Sequence, residues 1–243
     1  MNNLSIITYT HSNCKDIWNA YLSRLDKHAT GIQSYMLSDE ITQEFKNHIF
    51  LQYDDNKNYC QEFIRCLKEV KSDFIIYMQE DFILYDAVQE HLLNDYVNVL
   101  KNDSSLSYIR LIKCGDVTNV QYKDNKTLYY ICEPGKQNNS INSFSMQPTI
   151  WRKEDFIKLY TLADAERFGE SWTYTQAMNR LNMNGLYSYQ GEAKRGENHY
   201  DSLVFPYVAT AIVKGKWNVS EYPDELKAVS KEYRIDFNKR GYR

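Results

Sequence analysis

One unbroken apolar run constrains the fold of this chain more than any other feature. The residues from Phe74 to Met78 are all apolar, and the triplet Gln79-Glu80-Asp81 follows them directly. A continuous apolar run of this length is typical of a strand that is buried on both faces, as in the middle of a parallel sheet. Because acidic residues are disfavoured in strands, the triplet marks the carboxyl end of this one. The sequence therefore predicts acidic groups at the edge where open α/β sheets bind ligands.

The acidic triplet has two interpretations. Carboxylates at a strand end hold a divalent cation such as Mg²⁺ against the phosphates of a bound nucleotide. The alternative is a simple transition from strand to loop, with both acids solvated. The segments around the triplet decide between these interpretations.

Predicted strands and helices alternate along the first half of the chain. The predicted strands are 4–10, 33–37, 48–53, 74–78 and 106–113, and the predicted helices are 13–28, 57–71 and 86–100. Such alternation is typical of an α/β fold with a doubly wound, largely parallel sheet flanked by helices. Right-handed crossovers then place the strand ends along one crevice.

Polar residues are candidate caps for two of these helices. Asn13 is the predicted cap of the first helix, with Asp16 reaching back to it from the third helical position. Asp54 and Asp55 have two interpretations: they contact a ligand, or they cap the 57–71 helix together with Asn56.

The second half of the chain predicts a mixed elaboration of the same sheet. Further strands are expected at 128–131 and 143–151, and helices at 153–160 and 171–182. Pro148 assigns the 143–151 strand to a sheet edge, because proline cannot donate a ladder hydrogen bond. No linker or clean boundary interrupts the chain, so we expect a single domain over residues 1–243.

Composition excludes several functional classes. The formal net charge is −3, which argues against nucleic-acid binding because that needs a basic surface. Five cysteines without a Cys-x-x-Cys pair are typical of reduced thiols in a cytosolic protein. No apolar run approaches the ~20 residues that cross a bilayer. We therefore expect a soluble, cytoplasmic protein without a transmembrane segment.

The first strand, the acidic strand ends and the triplet after the fourth strand resemble the nucleotide-sugar glycosyltransferases of the GT-A fold. The likeness covers about residues 4–113 and is nearest to small bacterial or viral polysaccharide transferases. That family carries an Asp-x-Asp-like motif at this place, whereas Gln79 stands here at the first acidic position. The resemblance implies transfer from a nucleotide-diphosphate sugar, with a UDP-sugar favoured, to a saccharide or lipid-linked acceptor. Residues 1–113 would then bind the donor, and residues 114–243 would form the acceptor side and the tail.

The resemblance also implies a metal and assigns its ligand. Asp81 occupies the last acidic position of the motif and would bind Mn²⁺ or Mg²⁺ directly. Glu80 would orient water or sugar hydroxyls. Oxygen ligands with retained waters independently favour these two metals over zinc. Because the first acid of the motif is missing, a catalytically inactive protein with the same fold is an alternative.

Three residues at the end of the first strand, Thr8, Tyr9 and Thr10, would line the base and ribose pocket of such an enzyme. Tyr9 would stack on the base, or else it packs against the neighbouring helix. Asp39 follows the second strand and would reach the ribose or uracil edge, although a solvated loop acid is the alternative.

A late polar loop supplies further candidates. Lys194 and Arg195 would grip the departing diphosphate, since arginine matches phosphate geometry in a bidentate way. His199 would complete the metal sphere, as a late histidine often does in the family. The alternative is a charged surface loop.

An inverting enzyme needs a carboxylate base, because an acceptor hydroxyl is a poor nucleophile. Glu170 and Glu166 precede Ser171–Tyr174, which resembles the tryptophan-containing acceptor-side helix of the family. Glu170 is the first candidate and Glu166 the second. A retaining mechanism without a base stays open, as does a role for Glu170 as a first-turn acid favoured by the helix dipole.

The last seventeen residues hold six Lys or Arg against two acids. This basic C-terminal tail predicts peripheral contact with anionic lipid, or it is a solvated helix. Two other functions stay open for the whole chain: an inactive sugar- or protein-binding module, and a sugar nucleotidyltransferase. The second is disfavoured because no Gly-rich phosphate loop with a Lys or Arg follows the first strand.

Overall fold

The central sheet is mixed but mostly parallel, and helices cover both of its faces in this computed structural model. The structure describes residues 3–41, 45–134, 144–164 and 171–243. The strands in these ranges are β1 Leu4–Tyr9, β2 Gln33–Ser38, β3 His48–Gln52, β4 Phe74–Gln79, β5 Leu106–Arg110, β6 Leu128–Tyr130, β7 Thr149–Arg152, β8 Asn184–Ser188, β9 Ile212–Val213 and β10 Lys216–Trp217. The α-helices are α1 Lys15–His28, α2 Tyr59–Glu69, α3 Glu90–Asn102, α4 Lys153–Ala163, α5 Ser171–Arg180 and α6 Pro223–Tyr233.

Eight of the described strands form one sheet in the order β3-β2-β1-β4-β7-β5-β8-β6. The first four in that order are parallel to one another, and β7 runs antiparallel between β4 and β5. β8 is parallel to β5, and β6 is antiparallel to β8 at the edge. The predicted fold class is confirmed: an α/β fold with a mostly parallel sheet and a mixed C-terminal elaboration.

The apolar run of β4 is buried on both faces, as the sequence predicts. Ile76 lies in the core on one face together with Trp18 of α1. Tyr77 points to the other face, where its ring lies 5.6 Å from the ring of Phe63 in α2. Because successive side chains of a strand point to opposite faces, a single run contributes to both cores.

One predicted strand position is wrong. β7 is a central strand, whereas Pro148 was expected to hold it at a sheet edge. Pro148 lies immediately before Thr149, the first residue of β7, so its missing N–H removes no ladder hydrogen bond. Its carbonyl oxygen accepts a hydrogen bond from the Leu111 N–H at 2.9 Å.

Two predicted helix caps are also wrong. α1 follows a 3-10 turn, and Cys14, not Asn13, occupies the N-cap position without a side-chain capping bond. α2 is capped by Asn58, whose side-chain oxygen accepts a hydrogen bond from the Gln61 N–H at 3.0 Å. The alternative in which residues 54–56 cap this helix is therefore wrong, and Asp54 and Asp55 line the crevice described below.

The C-terminal part adds a small hairpin and α6 to one face of the sheet. Trp217 of β10 is fully buried and packs on Phe237, with ring centroids 4.3 Å apart. Within the described ranges, the helices are too short or too polar to cross a membrane.

Gly185 of β8 is needed for close packing, and its replacement is expected to destabilise the fold. A Cβ at this position would collide with the ring of Tyr108, which itself stacks on Trp151 at 4.4 Å. We expect Gly185→Ala to lower the free energy of unfolding by about 1–3 kcal/mol, because overpacking forces core side chains off their rotamers. Urea denaturation measures this loss. The exposed neighbour Asn184→Ala is the control, and equal stabilities of the two variants would contradict the packing argument.

Candidate active site

The crevice at the carboxyl ends of β1 and β4 is the candidate site. These two strands are parallel neighbours, with Tyr9 in register with Gln79. β2 and β3 lie on one side of the pair, and β7 and β5 lie on the other. The order of strands therefore reverses between β1 and β4, which is the switch point where open α/β sheets bind ligands.

A cavity of about 490 Å³ opens at this switch point, within the size range of small-molecule sites. It is formed by the exits of β1, β3 and β4 and by the start of α2. Its lining consists of Tyr9, Thr10, His11, Cys14, Tyr53, Asp54, Asp55, Lys57, Tyr59, Glu62, Gln79 and Glu80. Three predicted site residues, Tyr9, Thr10 and Glu80, therefore line the same cavity.

Three tyrosines form an aromatic wall in this cavity. The ring of Tyr9 stacks on Tyr53, with centroids 4.9 Å apart and an interplanar angle of 17°. Tyr59 meets Tyr9 edge to face, also at 4.9 Å. Burial raises the pKa of Tyr9 to about 12, so its hydroxyl stays neutral at physiological pH. Tyr9 packs against α2, as the alternative interpretation expected, and it also lines the cavity; its stacking on a base stays a prediction.

Of the two acids in the triplet, Glu80 is the one that lines the cavity. Its pKa is raised by burial, against the opposing effects of the Cys14 thiol, the Thr10 hydroxyl and the positive charge of Arg240. A carboxyl group with a raised pKa in a cavity wall is a group that a cation or hydrogen-bond donor would stabilise in its charged form.

Asp81 turns away from the cavity wall and towards the C-terminal segment. Its side chain is buried, and one carboxylate oxygen accepts a hydrogen bond from the Ile212 N–H at 3.3 Å. Burial raises the pKa of Asp81 to about 7, and the charge of Glu80 adds to this effect. Perturbed, buried carboxyl groups in a crevice are typical of functional sites. Its role as a metal ligand stays a prediction.

Asp39 lies beside the cavity at the carboxyl end of β2. Its carboxylate accepts hydrogen bonds from the N–H and the hydroxyl of Ser12, at 2.6 and 2.7 Å. His11 Nε2 lies 3.5 Å from the carboxylates of both Asp39 and Asp55. Burial raises the pKa of Asp39, but the hydrogen bonds from Ser12 and the nearby His11 outweigh burial and hold the pKa below its ordinary value. Asp39 is therefore a fixed carboxylate and not a solvated loop acid.

Asp39 should stabilise the fold only while it is ionised. Its pKa in the folded state is lowered, so the stabilisation is present above its ordinary value of 3.8 and is lost as the pH falls below it. We expect Asp39→Asn to cost about 1–3 kcal/mol of unfolding free energy at pH 7, since hydrogen bonds to charged groups are strong. The difference from wild type should shrink below pH 4.

Urea denaturation across this pH range measures the effect of Asp39→Asn. Ser12→Ala is the matched control, because it removes the hydroxyl donor and keeps the N–H donor and the carboxylate. We expect it to lose a smaller part of the stability. A stability loss in Asp39→Asn that is the same at pH 3 and at pH 7 would contradict the assignment.

The two threonines at the carboxyl end of β1 form hydrogen bonds with side chains of α1. Thr8 is fully buried, and its hydroxyl lies 2.6 Å from the hydroxyl of Tyr21. Thr10 accepts a hydrogen bond from the Trp18 indole at 2.9 Å and lines the cavity. The structure thus places Thr10 at the cavity and Thr8 beneath it.

The late loop forms a separate polar cluster. Arg195 makes ion pairs with Asp201, at 3.1 Å, and with Glu225. His199 stacks on Tyr222 with ring centroids 6.0 Å apart. Its Nε2 lies 3.5 Å from the Glu221 carboxylate.

Residues of this late loop are absent from the cavity lining given above, which includes neither Lys194 nor Arg195 nor His199. Lys194 is exposed, and its backbone forms a bridge to Tyr200. Phosphate and metal contacts by these three side chains stay predictions.

The oxygen atoms of the triplet fit a hard divalent cation. In the described part of the chain, no group of three or more His, Cys, Asp and Glu side chains is arranged to hold a metal ion alone. Mg²⁺ needs no such group, because one or two carboxylates and the phosphates of the substrate usually bind it. Glu80 presents such a carboxylate to the cavity, and Asp81 would have to turn away from the Ile212 N–H to join it.

The predicted catalytic bases, Glu166 and Glu170, lie outside the described residues, and their role stays a prediction. α5 begins directly after them, and Trp172 in its first turn is 57% exposed. An exposed tryptophan beside the predicted bases is compatible with an acceptor side.

Several cavity residues were not singled out from the sequence. Tyr53 directly follows β3, and Tyr59 and Glu62 lie in the first turns of α2. The alternation of strands and helices already implied that the carboxyl end of β3 lies at the same edge of the sheet as the carboxyl ends of β1 and β4. The expectation that residues directly after a parallel strand lie at the ligand-binding edge would therefore have identified Tyr53.

The chain matches no protein-family model and no curated protein. Solved structures are similar to it at low identity. S. aureus TarS shares 14% identity over 98% of this chain and 41% of that chain, with a TM-score of 0.48. The CMP:2-keto-3-deoxy-manno-octonic acid synthetase complexed with CTP shares 11% identity over 76% of this chain and 88% of that chain, with a TM-score of 0.47.

The bifunctional IspDF from Campylobacter jejuni is similar as well. It shares 15% identity over 84% of this chain, with a TM-score of 0.45. This chain spans about half of IspDF, or 52% of its length. At these identities and TM-scores, the likeness assigns no activity to the chain.

Proposed function

We propose that this chain is a metal-dependent glycosyltransferase. It would move a sugar from a nucleotide-diphosphate donor, with a UDP-sugar favoured, to a saccharide or lipid-linked acceptor in surface polysaccharide or glycan synthesis. The observation that carries the proposal is the cavity at the β1/β4 switch point, whose lining combines three tyrosines with Glu80 of the acidic triplet. The planar base of the nucleotide would stack on the tyrosines. The diphosphate would lie near Glu80, where a divalent cation would bind.

Electrostatics support the requirement for a cation. Four carboxylates line the cavity, against one lysine, Lys57. Lys57 is 63% exposed and lies 3.4 Å from the carboxylate of Asp54, so its charge is largely balanced. A diphosphate would be repelled from this lining unless a cation neutralised the acids. Mn²⁺ or Mg²⁺ held by Glu80 and Asp81 would supply that charge.

The residues of the crevice then have distinct tasks. Tyr9 and Tyr53 hold the base, and Asp39 accepts hydrogen bonds from the ribose. Glu80 and Asp81 hold the cation. When bound, the cation acts as a Lewis acid for the negative charge of the leaving diphosphate.

The acceptor hydroxyl needs a base on the opposite side of the sugar. Glu170, or else Glu166, is the proposed base of an inverting reaction. Lys194, Arg195 and His199 are proposed to contact the phosphates and the cation, which would require the late loop to leave the partners described above. Contact between the basic C-terminal tail and a membrane surface is a further proposal.

A panel of nucleotide-sugars, incubated with the protein and Mn²⁺, tests the proposal. We expect slow release of the nucleotide from at least one donor by hydrolysis, faster release with a saccharide acceptor, and loss of both in EDTA. Release of pyrophosphate from CTP or UTP with a sugar 1-phosphate would instead identify a nucleotidyltransferase. A folded protein that binds none of these nucleotides would be a binding module.

A further inference from the structure

The C-terminal end of the chain returns to the candidate site. Trp217 of β10 and Tyr242 form a parallel bridge. The Trp217 N–H donates to the Gly241 carbonyl, and the Arg243 N–H donates to the Trp217 carbonyl, both at 3.0 Å. Because backbone hydrogen bonds hold the residues on both sides of Arg240, its position relative to the sheet is fixed.

Arg240 reaches the first turn of α1, next to the exit of β1. Its Nε donates to Asp16 Oδ2 at 2.8 Å, and its Nη2 donates to Asp16 Oδ1. Nη2 also lies 3.4 Å from the carbonyl oxygen of Asn13. The side chain is 16% exposed, so the guanidinium lies in a wall and not in free solvent. Asp16 therefore holds Arg240, and the predicted capping contact of Asp16 with Asn13 is wrong.

The guanidinium lies beside the acidic end of the cavity. The Cys14 thiol, which lines the cavity, interacts with Glu80 on one side and with Arg240 on the other. Arg240 is not itself in the cavity lining, but it contacts Asn13 and Asp16 on either side of the lining residue Cys14. It is thus a fixed positive charge directly behind the cavity wall, on a side chain more buried than that of Lys57.

We propose that Arg240 is a phosphate-binding residue of this crevice, delivered by the C-terminal tail. It would donate hydrogen bonds to the diphosphate of the bound nucleotide, a task that suits a guanidinium held in one orientation. The inference rests on the proposed function, because it takes a nucleoside diphosphate as the ligand. It adds a cation that stays in place when the metal is removed.

Calorimetry with UDP in EDTA and in Mn²⁺ tests the proposal. We expect Arg240→Gln to weaken UDP binding about 10-fold in EDTA, and Arg240→Lys to recover part of the loss because a charge is kept. Lys239→Gln, at an exposed neighbouring position, is the matched control and should bind as the wild type does. UDP binding by a folded Arg240→Gln that equals wild type in both conditions would overturn the inference and leave the proposed function standing.

Two further measurements separate the remaining outcomes. Asp16→Asn breaks the same ion pair but keeps the guanidinium. An equal loss of affinity in Asp16→Asn, with the tail released to limited proteolysis, would overturn a direct phosphate contact. If the wild type binds no UDP, the proposed function fails, and inorganic pyrophosphate becomes the test ligand. A thermal shift with pyrophosphate that Arg240→Gln abolishes would still support the phosphate site, and the absence of a shift would overturn it.

Discussion

Asp81→Asn is expected to lower the turnover of sugar transfer by roughly 10³-fold while the protein stays folded. A bound metal supplies several kcal/mol of transition-state stabilisation, and each 1.36 kcal/mol corresponds to about a factor of ten in rate. The amide preserves the shape of the side chain and an oxygen for the Ile212 N–H. Because a buried carboxylate whose pKa is raised to about 7 is replaced by a neutral group, no loss of stability is expected.

Asp86→Asn is the matched control for this experiment. Asp86 is an exposed acid five residues after Asp81 and is absent from the cavity lining. Steady-state rates at saturating donor, together with the melting temperatures of both variants, decide the result. A folded Asp81→Asn protein that turns over as fast as Asp86→Asn would contradict the metal assignment.

Tyr9→Leu is expected to weaken nucleotide binding by roughly 5- to 150-fold. Stacking of a base on an aromatic side chain contributes about 1–3 kcal/mol, and leucine fills much of the same volume without a planar face. The loss should be similar in Mn²⁺ and in EDTA, because the aromatic wall does not contact the cation. Titration of UDP into the variant in both conditions measures it.

Tyr129→Leu is the control for Tyr9→Leu. Tyr129 is a half-buried tyrosine of β6 that stacks on Tyr187 at 5.5 Å, at the opposite edge of the sheet from β3. It should bind UDP as the wild type does. Equal affinities of the two variants would place the base elsewhere than on the aromatic wall.

The strands of the fold were predictable because short local runs of apolar residues indicate which strands are buried. β4 is an unbroken apolar run up to Met78, and β1 is rich in apolar and β-branched residues; both lie in the interior of the sheet. The position of β7 was not predictable in the same way. Pro148 restricts a strand only if it lies inside the ladder, and it stands one residue outside. A small error in the predicted start of a strand thus changes the prediction from a central strand to an edge strand.

The candidate site was predictable only in part, for a physical reason. Tyr9 is the last residue of β1, Glu80 directly follows β4, and the topology brings these strand ends together. Thr8 precedes Tyr9 by one residue, and its side chain therefore points to the opposite face, into the core with Tyr21. Arg240 reaches Asp16 in the first turn of α1 through tertiary packing alone, and no local spacing in the sequence signals such a contact.

Isothermal titration calorimetry of UDP tests the central claim most directly, which is that the β1/β4 crevice binds a nucleoside diphosphate with a divalent cation. We predict micromolar binding to the wild type in Mn²⁺, at least 10-fold weaker binding in EDTA, and no effect of Mn²⁺ on binding to Asp81→Asn. Absence of UDP binding to the folded wild type in both conditions would contradict the claim.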